Sequence, residues 1–258
     1  MANTNSVQKI PGVAELPGLV ISPSGGQVLF VGTGANVNAL GQTGESIASR
    51  VSPNINAAVN QCVSGRGDVV YVLPGYAESI SVATAWALLT ATDVTVCGLG
   101  HNNNRPALTW SAAASTVLFN VANFRLINCV LFLAGPNSAG SALTVAAPIT
   151  VSAAGCEISD CDIFWGFNAT QIVGIGITTT AGAVDFTFNR NNCYAETLAV
   201  PTTTFLRLTG TDRIEMDDTF IIGPGSTTAI GPVQQLTTAM LKAKIRNTVV
   251  QNTLASST

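Results

Sequence analysis

Charge is scarce in this sequence. Asp, Glu, Lys and Arg make up 10% of its 258 residues, against roughly 25% in an ordinary globular chain. The 11 basic side chains are scattered and the net charge is −3, so there is no basic stripe for nucleic acid to follow. Long apolar runs are missing too. A membrane span needs ~20 consecutive apolar residues, and stretches such as 129–134 fall far short, so neither nucleic acid nor membrane is expected as a partner. The first residues, MANTNSVQKIPG, lack the basic-then-apolar order of a secretory signal. Synthesis in a reducing cytoplasm is therefore expected, with the six cysteines as buried thiols and not bridges. Helical periodicity is almost absent after residue 65, which excludes folds that place a helix between successive strands.

What is present is a repeat. Cysteines stand at 97, 129, 161 and 193, a step of 32 residues each time, and a fixed period decides the whole fold. With Asn128 and Asp160 as centres, apolar residues sit two before (Leu126, Ile158) and three after (Leu131, Ile163). The segments about Asp218 and Asn247 fit the same template, with Thr219 and Thr248 in the cysteine's place. An earlier copy is centred on Val96. The copy centred on Asn192 is the poorest, because Arg190 and Ala195 occupy its apolar positions.

Alternation before each centre marks a strand with one buried face. The change from an even to an odd offset afterwards marks a bend. Asn and Asp tolerate the left-handed backbone such a bend requires. Further β-branched or aromatic runs at 107–110, 116–121, 142–145 and 172–177 are bounded by Gly, Pro, Asn and Ser, as strands are.

The φ-x-[ND]-[CTN]-x-φ corner, repeated about every 30 residues, resembles the pectate-lyase-like family of right-handed parallel β-helices. The stretch INAAVNQCVSGRGDVVYVLPGYAESI, residues 55–80, resembles the lead-in of phage β-helix proteins. In those proteins a short helix covers the first coil and is followed by a pattern matched here by Gly67, Asp68, Pro74, Gly75 and Glu78. The expectation is an all-β solenoid of about six or seven coils over residues 51–258. A short capping helix begins it, with Asn54 or Ser52 as cap, and residues 1–50 form an extended arm.

The acids Glu157, Asp160, Asp162, Glu215, Asp217 and Asp218 are the only candidates for carbohydrate chemistry, which needs two carboxyl groups ~5–9.5 Å apart. Asp160 and Asp218 share the corner position, so stacking accounts for them, and Arg190 is close enough in sequence space to pair with an acid. His101 is expected in a surface loop. No catalytic, cofactor-binding or metal-ligating set is recognised, and no cofactor is expected. The residues singled out are a structural ladder: Cys97, Cys129, Cys161, Cys193, Asn128, Asp160, Asn192, Asp218 and Asn247.

What the resemblance implies is a structural phage virion protein, made in the host bacterial cytoplasm. As a capsid decoration protein it would form homotrimers and hold the major capsid protein, or another virion protein, through the N-terminal arm. A tailspike or receptor-binding protein that binds or cleaves host polysaccharide is the alternative. A free polysaccharide lyase is a third reading, disfavoured by the missing signal sequence.

Overall fold

The computed structural model describes residues 25–33, 51–83, 86, 90–133, 143–165, 171–194, 204–209, 213–223, 233–236 and 242–252. Every strand pairing among them is parallel, and partners lie about one repeat apart in sequence. Strands stacked one coil above another form three main sheets. Sheet A holds nine strands, sheet B seven and sheet C five. The chain runs from A to B to C and back to A, as in Arg125–Ile127, Val130–Leu133 and Ile149–Val151. This is a right-handed parallel β-helix, the hand that parallel crossovers adopt. Five coils carry all three strands, and the first and last carry strands of sheets A and B.

Alternation places one face of every strand inside the tube. Sheet A contributes Val94 and Val96, then Phe124 and Leu126, Cys156 and Ile158, Phe186 and Phe188, Ile214 and Met216, all buried. Sheet B adds Leu108 and Trp110, Leu131 and Leu133, Ile163 and Trp165. Trp110 and Trp165 meet edge to face at 5.4 Å, and the Trp110 indole donates to the Pro148 carbonyl at 2.9 Å. All three tryptophans are core residues.

The entrance is closed by the helix Ile55–Val59, whose cap is Asn54: its side chain accepts from the Ala57 N–H at 2.7 Å. Ile55, Ala58 and Val59 are buried against the first coil. The lead-in residues each have a structural task. Asp68 is fully buried and accepts from the N–H groups of Gln27 and Val63 and from the Arg66 guanidinium, at 2.6–2.8 Å. Burial alone would raise its pKa, but these donors outweigh it and hold the carboxyl below the usual range. Glu78 accepts the Ile55 N–H at 3.0 Å and the Tyr76 hydroxyl at 2.9 Å, tying the helix to sheet B. Gly67 and Gly75 occupy the left-handed region, where a side chain is strained.

Residues 28–31, which the sequence places in the arm, are a strand of sheet A, between Val51–Ser52 and Val69–Val72. The body of the protein thus begins before residue 51. Residues 1–24 and 34–50 of the expected arm lie outside the described residues.

Candidate functional site

The corner between sheets A and B is where the ladder residues meet. Asn128, Asp160, Asp218 and Asn247 all have left-handed backbone, with φ between 46° and 56°. In the fifth coil the left-handed residue is Arg190 (φ 53°). Asn192 pairs with Asp162 on a strand of sheet B, so it is not a corner. The cause is coil length: 30 residues separate Asp160 from Arg190, not the 32 that separate Asn128 from Asp160.

The cysteine ladder is shorter than the spacing implies. Cys129 and Cys161 follow successive corners and are both buried. Cys193 pairs with Ile163 inside sheet B, two residues beyond that position. Cys97 pairs with Ile127 before the corner and is only half-buried, on the outer face with Tyr71 and Leu99. Val96 pairs with Leu126, so the earliest copy has its corner at Gly98 and not at Val96. A Cβ at Gly98 would overlap the Asn128 carbonyl. Into this space the Asn128 amide reaches, donating to the carbonyls of Gly98 at 2.7 Å and Gly100 at 3.2 Å.

Inside the corner the cysteine position continues as Asn191 and Thr219. Asn191 accepts from the Cys161 N–H at 3.0 Å and donates to the Ile158 carbonyl at 2.9 Å. Thr219 donates to the Phe188 carbonyl at 3.0 Å, the same position one coil on. These inward polar side chains satisfy backbone groups that water cannot reach.

A second left-handed ladder, absent from the sequence reading, lies where sheet C returns to sheet A. Its members are Asp93, Asn123, Gly155 and Asp185, with φ of 58–68°. The N–H of Asn123 donates to Ala154 O and that of Gly155 to Val184 O, coil to coil. The Asn123 amide donates to Asp93 at 2.7 Å. The signal was present as [DNG]-φ-x-φ at these four positions, 93–96, 123–126, 155–158 and 185–188.

Outside the corner the acids are held by neighbouring coils. Arg190 grips Asp160 with two bonds of 2.7 Å. Asp162 is paired with Arg105 and accepts from the Asn192 amide at 2.9 Å. Glu157 accepts from Ser159 at 2.7 Å and faces Arg125 at 3.6 Å. Glu215 and Asp217 bind Lys244 and Arg246. Such pairs are brought together by the register of the stack. Among the described residues, no three His, Cys, Asp or Glu converge on a point where a metal ion would sit. His101 is exposed, at the start of a short 3-10 turn. Nor is any helix among the described residues long and apolar enough to cross a membrane.

One outward feature remains. On the outer face of sheet B, Phe132, Phe164 and Tyr194 stack in register, with centroids 5.4 and 5.3 Å apart and planes within 16°. The three side chains are half-buried. In the next coil Ile222 takes the column's position, and Phe220, paired with Asn192, meets Tyr194 edge-on at 6.2 Å. Compared with family models, with curated proteins and with solved structures, the chain has no match.

Proposed function

We propose that this chain is a structural protein of a phage virion, a capsid decoration protein that assembles as homotrimers on the shell. The observation that carries the reading is the aromatic column Phe132–Phe164–Tyr194 on the outer face of sheet B, in a chain poor in charge. An ordered apolar strip on a rigid face suits burial against sister copies. Five of the six acids that would otherwise suggest carbohydrate chemistry, Glu157, Asp160, Asp162, Glu215 and Asp217, are already matched by cations of other coils. The lead-in GDVVYVLPG supports the phage assignment through the resemblance described above.

The test is assembly. Native mass spectrometry of the purified protein is expected to give three times the 26.5 kDa chain mass, and Phe164→Asp with Tyr194→Asp is expected to give folded monomers. Electron microscopy of virions would then place the trimers at three-fold positions of the shell. A protein that stays monomeric at all concentrations refutes the reading. So does turnover of an acidic polysaccharide that is lost on changing Asp160 or Asp218.

A further inference from the structure

The two ends of the rod differ. The first coil is covered by the helix Ile55–Val59 and by the strands Val28–Val31 and Val51–Ser52. The last coil has no such cover among the described residues. Lys242–Arg246 is exposed along its whole length. Ile245 and Val250 stack over the core residues Met216 and Ile221, yet are 55% and 46% exposed. Strands Lys242–Arg246 and Val249–Asn252 are paired on one side only among the described residues. Open edges of this kind accept another strand.

Charge says what kind of strand. The outward residues of sheet A alternate in sign from coil to coil near this end: Glu215 and Asp217 lie below Lys244 and Arg246 and pair with them at 2.6–3.3 Å. Lys242 lies over Arg213, a like charge, which is unfavourable for directly opposed residues. The terminal coil thus shows a row of three cations, Lys242, Lys244 and Arg246, beside an apolar inward edge. We infer that this end is a docking site for an extended polypeptide segment of another protein, with acidic side chains outward and apolar ones inward, added as a further coil.

Other occupants fit less well. A second copy joined end to end through the same coil would set two cationic rows against each other. The opposite end of sheet A is the strand Val51–Ser52, which carries no acid.

The probe is a labelled peptide copying residues 213–222, RIEMDDTFII, whose acids already pair with this row from below. Its counterpart has lysine at the positions of Glu215 and Asp217. Fluorescence anisotropy with the full chain is expected to show the acidic peptide binding at least tenfold more tightly than the basic one. Lys244→Glu with Arg246→Glu should invert that preference, which a misfolded variant would not do. Ile245→Ser with Val250→Ser, both at exposed positions, should weaken binding with an unchanged melting curve. Equal affinity for the two peptides, or binding of neither, overturns the inference. It is overturned equally if sedimentation shows self-association that Ile245→Lys with Val250→Lys abolishes, since the occupant would then be a second copy. None of these outcomes depends on the trimer, which Phe164 and Tyr194 test separately.

Discussion

Replacing Asn191 by Ala removes one side chain from the inside of the corner, leaves one backbone N–H without its partner and takes one bond from a backbone carbonyl. These are the Cys161 N–H, at 3.0 Å from the Asn191 oxygen, and the Ile158 carbonyl, at 2.9 Å from its nitrogen. Asn191 is fully buried, so water does not replace it. An orphaned buried donor costs about 1–3 kcal/mol and a lost hydrogen bond about 1 kcal/mol, which sets the expected loss at about 3 kcal/mol. For a chain of this size that corresponds to a fall of roughly 6–12 °C in Tm. Asn191→Thr is the control, because Thr219 already performs the same task one coil later with a hydroxyl. It should keep most of the stability, losing about 1 kcal/mol. Equilibrium denaturation in urea, followed by the fluorescence of the buried tryptophans, reads both variants. A loss below about 0.5 kcal/mol for Asn191→Ala, or equal losses for Ala and Thr, would refute the account of the corner as a ladder of satisfied backbone groups.

Other perturbations probe the remaining layers. Gly98→Ala drives a Cβ into the Asn128 backbone carbonyl, and backbone cannot swing aside, so a loss above about 3 kcal/mol is expected in the same denaturation assay. Asn128→Ala should cost about 2 kcal/mol, through left-handed strain and the lost bond to Gly98, and Asn128→Gly about half as much. Alkylation of the native protein should reach Cys97 first and spare Cys129 and Cys161 until denaturant is added, which mass spectrometry of digests resolves. Burial pushes the Cys161 thiol up to about 12. A raised thiol keeps its proton longer in the fold than in the unfolded chain. Stability is therefore full below pH ~9 and declines between pH ~9 and 12, less steeply in Cys161→Ala. Asp68 behaves in the opposite sense. Its lowered pKa contributes stability above the ordinary carboxyl range that is lost as pH falls below it, so Asp68→Asn should flatten the acid side of the pH–stability curve.

Some corners are legible in the sequence because the residue type carries the backbone conformation. Asn and Asp favour the left-handed region, which made 128, 160, 218 and 247 readable. Arg190 adopts the same conformation without that preference, held by its two bonds to Asp160, so the pattern slid two residues to Asn192. The cysteine period failed for a related reason. A solenoid tolerates coils of different length, since extra residues go into loops between strands. A constant spacing of 32 therefore coincides with the coil only where the coil is 32 residues long, between Cys129 and Cys161. The helical cap was readable from Asn54 and the apolar pattern after it. The pairing of acids was foreseen only for Arg190, because partners about 30 residues apart are joined by register alone.

By itself the sequence determined the class of fold: alternating apolar residues, left-handed corner residues and a repeat near 30 leave a stacked parallel coil as the arrangement that buries every inward face. Tertiary structure decided which side chain stands above which. Register set by backbone pairing put Cys97 outside and Cys193 one strand too far, stacked Phe132, Phe164 and Tyr194 into a column, and left Lys242, Lys244 and Arg246 on an open final edge. The physical reason is that a residue's face follows from local alternation, whereas its neighbours in the next coil follow from the length of every loop between them.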